Sequence, residues 1–144
     1  MLSIICGSLA SLVLLFLAAV HLYWGFGGRW WIENIIPQRN GIAILPTSGP
    51  VAVCGFILIA MLLTVAAACV MIHSGLADEP FPSALPFASL SVKILIAVFI
   101  LRAVGDFNLC GIFRTPDNTR FAHWDRYIYT PICGGLALLL LLTF

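Results

Sequence analysis

The side chains best suited to chemistry in this chain lie at the ends of long apolar stretches. Arg102 and Asp106 are four residues apart near the end of one stretch, and His21 lies near the end of another. Asp125 and Tyr129, also four residues apart, begin a third. A guanidinium group binds phosphate or carboxylate through paired hydrogen bonds, and carboxyl or imidazole groups transfer protons. These residue types favour anion binding or acid–base chemistry, provided that the helices bring them together.

The composition indicates that these residues work in a lipid environment. Of the 144 residues, 62% are hydrophobic and 9% are charged, and the mean hydropathy is +1.09. Soluble domains carry about 25% charged residues, and a soluble chain of this size would leave a large apolar surface in water. The formal net charge of +1 offers no basic face to nucleic acid. We therefore predict an all-α integral membrane protein, a four-helix bundle forming one domain.

Four segments are predicted to span the membrane, because about 20 apolar residues cross a hydrocarbon layer of about 30 Å. They cover residues 2–24, 51–73, 88–109 and 125–144. The first segment is interpreted as a retained span and not as a cleaved secretory signal. The reason is that its apolar run has no preceding Lys or Arg, which a signal peptide requires.

Two starts fit the fourth span. A start near Asp125 gives about 30 Å of helix with Pro131 inside it, which removes one backbone hydrogen bond and frees the carbonyl of Tyr127. The alternative has Thr130 as the N-cap and Pro131 at the first helical position. We favour the longer helix, because the shorter one reaches only about 21 Å.

The long first loop and the arginines set the predicted orientation. Residues 29–36 are expected to form a short helix along the membrane surface, ended by Pro37, with Trp30 and Trp31 as interfacial anchors. The two termini and the second loop hold no arginine, whereas the first and third loops hold five: Arg29, Arg39, Arg114, Arg120 and Arg126. The positive-inside rule then places these two loops in the cytoplasm and both termini outside.

This topology predicts that the polar residues converge at the cytoplasmic end. Ionisable residues within membrane helices are costly and face the interior or a water-filled cavity. Arg102 would lie about 9 Å short of the inner boundary and needs a partner: Asp106, a carbonyl freed by Pro131, or an anionic ligand. A buried Arg102–Asp106 pair that only locks helix packing is the structural alternative to a binding role. Asp125 is expected either to cap its helix or to join the site.

The remaining candidates are less specific. His21 is either a hydrogen-bonded packing residue or a site residue, and Trp24 is either an interfacial anchor or part of the site. Paired ligation of a haem by His21 and His123 is conceivable, but no CxxCH motif accompanies them and we predict no cofactor. His73 is expected at the opposite end. The five cysteines show no CxxC pair and no metal-ligand spacing, which disfavours a metal site and thiol redox chemistry.

These motifs resemble a family of small four-helix bacterial membrane proteins known only as domain of unknown function 3995. The matching segments are HLYWGFGGRWW (21–31), RAVGDFNLCGIF (102–113) and FAHWDRYIYTPIC (121–133). Thr130 stands where the family pattern has a serine, which keeps the hydroxyl. The resemblance implies a multi-pass protein of the bacterial cytoplasmic membrane. It favours Arg102, Asp106, Asp125 and Tyr129 as a set and implies no reaction.

Three functions fit the sequence, and whether the chain is an enzyme is left open. The first is a binding module in which Arg102 holds an anionic or amphiphilic small molecule, such as a lipid, while Asp106, Asp125 and His21 orient that ligand or the arginine. The second is an enzyme acting on a lipid-soluble substrate, with His21 or Asp106 as the acid–base group. The third is an accessory or transport subunit of a larger membrane complex or homo-oligomer, because small residues permit close helix contact.

Overall fold

The backbone is almost entirely helical. The computed structural model describes residues 1–39, 42–78, 83–105, 110–113 and 119–144. Its helices are α1 (Leu2–Gly25), α2 (Ile32–Ile35), α3 (Pro50–His73), α4 (Ala84–Val104), α5 (Arg120–Trp124) and α6 (Thr130–Leu141), with a π-helical segment (Asp125–Tyr129) between α5 and α6. In the first loop, β1 (Gln38–Arg39) and β2 (Ile42–Ala43) pair antiparallel over two residues. The predicted all-α class is confirmed.

Helices α1, α3 and α4 are long and apolar enough to cross a membrane. They contain 24, 24 and 21 residues, so their lengths are about 36, 36 and 31 Å, against a hydrocarbon layer of about 30 Å. Their outward side chains are apolar as well: Leu12, Phe16, Leu58 and Leu101 are all more than half exposed. A continuous apolar exterior of this kind is typical of a surface covered by lipid. The structure thus supports a membrane protein with at least these three helices able to span.

Helix α4 is shifted toward the N-terminus relative to the predicted span 88–109. It begins at Ala84 because Pro86 falls within the first turn, where a missing N–H costs nothing. It ends at Val104, because Gly105 follows with a φ of +90°, a conformation that favours glycine and stops a helix. Arg102 therefore lies in the last helical turn, where its charge is favourable beside the carbonyl ends.

The fourth helical run begins upstream of both predicted starts. The chain is helical from Arg120 to Leu141 without a break, because the residues that join α5, the π-helical segment and α6 keep right-handed helical angles. Thr119 caps the run, since its hydroxyl accepts a hydrogen bond from Ala122 N–H at 3.2 Å. The wide π turn lies just before Pro131, where the proline ring and its missing N–H disturb regular α-helical bonding.

The long helices pack side by side in chain order. Helix α1 packs mainly along α3 and α4 along α6, while α3 contacts α4 and α1 also touches α6. Their shared core is rich in alanine, which lets helix backbones approach closely. It consists of Ala10, Leu14, Ala66, Ala67, Val70, Val92, Ile96, Phe99, Leu136, Ala137 and Leu140.

The packing separates the two ends of the molecule. At one end, His73 Nδ1 lies 2.9 Å from Ser89 Oγ, and Ser3 Oγ donates to the carbonyl of Thr143 at 3.1 Å. At the other end, α1 and α4 finish and α5 starts; this is called the Arg102 end below. His73 thus lies at the end opposite Arg102.

Candidate functional site

The centre of the site is an ion pair between α4 and the π-helical segment. Arg102 Nη2 donates to Asp125 Oδ1 at 2.5 Å. The Asp125 side chain is 1% exposed and that of Arg102 is 30% exposed. The second carboxylate oxygen, Oδ2, accepts a hydrogen bond from Gly111 N–H at 2.8 Å. Both carboxylate oxygens are therefore engaged, and Asp125 is poorly placed to act as a general base.

The chain reaches Asp125 by folding back onto the end of α4. Ile112 N–H donates to the carbonyl of Ala103 at 2.9 Å, and Phe113 N–H donates to Val104 at 3.3 Å. This return requires Gly105 and Gly111, which have φ values of +90° and +91°, a region that other residues rarely adopt. A side chain on either glycine would also overlap the backbone of the other's segment.

One donor of the Arg102 guanidinium is left without a partner. Its Nη1 is buried and makes no hydrogen bond with any part of the chain that the structure describes. A buried donor in this state costs about 1–3 kcal/mol, and more when it is charged. Thr130 Oγ1, five residues after Asp125, is the other buried polar atom at this end without a partner among the described residues.

Sequence reasoning named Asp106 first as the partner of Arg102, whereas the structure pairs Arg102 with Asp125. Asp106 itself lies outside the described residues. The interpretation of Asp125 as a helix cap is wrong, because the helical run starts five residues earlier and Thr119 caps it. Asp125 instead lies inside the run, where its buried carboxylate meets a guanidinium and a backbone N–H.

Tyr129 ties the first loop to the fourth helical run. Its hydroxyl accepts a hydrogen bond from Trp31 Nε1 at 3.0 Å and donates to the carbonyl of Asn34 at 3.2 Å. The Trp31 ring also packs on Trp124, with centroids 4.5 Å apart. Trp31 adopts a left-handed φ of +68°, a strained conformation that a non-glycine residue keeps only where its surroundings enforce it. The expected short helix in this loop is present as α2.

His21 and Trp24 belong to a separate cluster in the seam between α1 and α3. His21 Nδ1 lies 2.8 Å from the carbonyl of Leu17, and its ring lies 5.2 Å from Trp24 and 6.4 Å from Phe56. Trp24 is 6% exposed and donates from Nε1 to the carbonyl of Trp30 at 2.8 Å. Within the described residues, neither side chain forms a hydrogen bond or an ion pair with Arg102 or Asp125. The structure thus brings Arg102 and Asp125 together and leaves His21 and Trp24 apart.

No group suited to a metal is found among the described residues, where no three His, Cys, Asp or Glu side chains cluster. The ring of His123 packs against Trp124 and Tyr127. What the site offers chemically is a guanidinium whose charge is neutralised by a buried carboxylate at Nη2. Its remaining donor can bind a hydrogen-bond acceptor.

Comparison with known proteins identifies the chain at the level of a family. The family model described as a protein of unknown function (DUF3995) matches residues 14–140, a range that holds α3, α4, all but the last residue of the fourth helical run, and both members of the ion pair. No curated protein and no solved structure matches the chain. The resemblance carried by the three sequence segments is confirmed, and the chain belongs to the DUF3995 family.

Proposed function

We propose that this chain is a four-span membrane protein that binds an amphiphilic small molecule at the Arg102 end. The fourth span is the helical run Arg120–Leu141, whose 22 residues give about 33 Å of helix, slightly less across the π turn. Its loops at the Arg102 end face the cytoplasm of a bacterial inner membrane, and both termini face outward, as the five arginines favour.

The observation that carries the binding proposal is the buried Nη1 of Arg102. Asp125 already neutralises the guanidinium through Nη2, so helix packing does not require a second partner for Nη1. A ligand whose polar head carries an acceptor oxygen would satisfy this donor. A phosphate or carboxylate head suits it best, because hydrogen bonds between charged groups are about twice as strong as those between neutral groups. An apolar tail would then lie among the helices or in the lipid.

A purely structural role is the second candidate, and one observation favours it. Asp125 uses both carboxylate oxygens, one on α4 and one on the returning chain at Gly111. This pair joins three segments and would hold them together without a ligand. If the Arg102–Asp125 pair serves only packing, the chain would suit the role of an accessory subunit. Another protein would then cover its exposed helices.

Arg102→Lys separates the two candidates better than Arg102→Ala. Alanine would leave the Asp125 carboxylate buried and unpaired, which costs about 3–5 kcal/mol, so the protein would be expected to misfold. Lysine keeps a cation beside Asp125 but lacks the planar fork that presents a second donor. Arg120→Lys is the matched control, because Arg120 is 76% exposed and pairs only loosely with Glu33, at 3.6 Å.

The experiment is native mass spectrometry of protein extracted gently from its own membrane. We expect a discrete added mass on the wild type and on Arg120→Lys that is absent from Arg102→Lys, with all three proteins equally helical by circular dichroism. The added mass would also identify the ligand. A wild type that carries no small molecule, or an added mass that persists in Arg102→Lys, would reject binding at Nη1 and leave the structural role.

A further inference from the structure

A row of aromatic rings crosses the Arg102 end, formed by the first loop and the start of the fourth helical run. Successive ring centroids are 5.4 Å apart for Trp30–Trp31 and 4.5 Å for Trp31–Trp124. They are 5.4 Å apart for Trp124–His123 and 4.9 Å for His123–Tyr127. The two terminal rings are well exposed, Trp30 at 70% and Tyr127 at 66%. These five rings are called the aromatic row.

Each terminal ring of the aromatic row is preceded in sequence by an exposed arginine. Arg29 directly precedes Trp30, and Arg126 directly precedes Tyr127, and both arginines are exposed. Neither pairs with a carboxylate of the described residues.

A third exposed arginine near the row is already paired. Arg120 interacts with Glu33 across 3.6 Å, so this pair adds no net charge. Among the described residues, Arg29 and Arg126 therefore leave this surface with a net charge of +2.

The headgroup layer of a bilayer suits both the exposed aromatic rings and the exposed arginines. Large exposed aromatic rings favour contact with apolar groups, whereas a guanidinium is costly within hydrocarbon. Tryptophan and tyrosine collect at the headgroup layer of a bilayer, because each ring has an apolar body and a polar edge. Arginine in the same layer reaches the phosphate oxygens, which match its planar fork. The combination of exposed rings and exposed arginines therefore fits the headgroup layer.

We propose that the aromatic row, together with Arg29 and Arg126, is a docking surface for the phosphate headgroups of anionic phospholipids. This surface is distinct from the Arg102 donor, which lies inside the protein beside Asp125. The proposal therefore does not depend on a ligand at Arg102. Lipid docked here would fix how deeply the first loop and the fourth helical run sit in the membrane.

The opposite end of the molecule lacks this chemistry. Its basic side chain, Lys93, lies over the ring of Phe144, with Nζ 5.6 Å from the centroid. The loop beside it carries Asp78 and holds no arginine. Anionic lipid is therefore expected to collect at the Arg102 end, and Lys93→Gln provides a control that removes one positive charge from the other end.

The test compares lipid selection by the wild type, the Arg29→Gln/Arg126→Gln variant and Lys93→Gln. Each protein is reconstituted in vesicles of phosphatidylcholine and phosphatidylglycerol, extracted gently, and weighed with its retained lipids by native mass spectrometry. We expect the wild type and Lys93→Gln to enrich phosphatidylglycerol equally. The enrichment should fall about fivefold for each arginine removed. Equal retention of both lipids by the wild type, or undiminished enrichment in the arginine variant, would overturn the proposal.

Tryptophan fluorescence gives a second measurement that needs no variant. All four tryptophans, Trp24, Trp30, Trp31 and Trp124, lie at the Arg102 end. Intrinsic fluorescence therefore reports only on this end. We expect phosphatidylglycerol brominated near the headgroup end of its acyl chain to quench more strongly than the same lipid brominated near the chain terminus. The reverse order would place the aromatic row deep in hydrocarbon and contradict docking to headgroups.

Discussion

Gly105 and Gly111 lie in contact where the chain turns back onto the end of α4. Both have positive φ, and a Cβ on Gly111 would overlap the backbone of Gly105. The contact leaves Gly111 N–H 2.8 Å from Asp125 Oδ2. The turn and the ion pair therefore form one unit, in which backbone conformation at two glycines determines how a buried carboxylate is satisfied.

Gly111→Ala should destabilise the protein strongly. The left-handed backbone alone costs a non-glycine residue about 1–3 kcal/mol, and relief of the overlap would move Gly111 N–H away from Asp125. We expect a loss of at least about 3 kcal/mol in the free energy of unfolding in detergent. Gly134→Ala, within α6, is the matched control: a Cβ there meets no atom within 4 Å, and alanine favours a helix by about 1 kcal/mol. Equal stability of the two variants would contradict this account.

Asp125→Asn should lower the free energy of unfolding far more than the corresponding loss of a carboxylate in an exposed ion pair. The single amide oxygen can accept from Arg102 Nη2 or from Gly111 N–H but not from both, and the Arg102 charge loses its counterion. Removing one partner of a buried pair costs about 3–5 kcal/mol, and we expect the lower value because Arg102 is 30% exposed. Glu33→Gln, in the exposed pair with Arg120, should change the free energy of unfolding by less than about 1 kcal/mol. A small effect at Asp125 would show that the pair does not stabilise the fold.

Tyr129→Phe should release the first loop without unfolding the helices. It removes the hydroxyl that links Trp31 Nε1 to the Asn34 carbonyl and leaves Trp31 with less to hold its left-handed backbone. We expect faster amide hydrogen exchange in residues 31–36, and unchanged exchange in α3. Tyr127→Phe is the control, because that ring is 66% exposed and its hydroxyl links no described segments. Unchanged exchange in Tyr129→Phe would mean that ring packing alone holds the loop.

The proposed orientation predicts opposite labelling of the first and second loops. Phe26→Cys and Leu76→Cys place thiols at exposed positions, 79% and 42% exposed respectively, in a chain whose native cysteines are replaced by alanine. In intact cells, a membrane-impermeant maleimide should label position 76 and spare position 26 until the membrane is opened. The reverse pattern would invert the topology and place the arginines outside.

Sequence alone predicted the helical class and the need of Arg102 for a partner, because both follow from hydropathy and from the cost of charge in lipid. It named Asp106 first as that partner and gave Asp125 only as one of three residues that would orient the ligand or the arginine. Asp106 was favoured by its i+4 spacing, which is a local relation. The pairing with Asp125 depends on a turn through Gly105 and on a π-helical segment, neither of which a helical repeat reveals. Pro131 was the signal that regular winding would be disturbed.

His21 shows a second limit of the sequence analysis, which predicted from the topology that residues at one end of the molecule share a site. The sequence placed His21 at the same end as Arg102, and the structure agrees on the end. Which side of the helix the ring occupies depends on rotation, and here it packs toward Phe56 of α3. Sharing an end of the molecule was therefore insufficient to place His21 in the site with Arg102.

The π-helical segment decides the sign of the charge that faces Arg102. Buried positions in the first turns of the fourth helical run, from Arg120 to Thr130, are Phe121, Asp125 and Thr130, so the inward step there is four residues and then five. With regular winding, which advances about 100° per residue, the inward position one turn before Thr130 would be Arg126, now exposed. A guanidinium would then confront a guanidinium. The extra residue in this one turn thus turns Asp125 toward Arg102 in place of Arg126, and an attractive contact replaces a repulsive one.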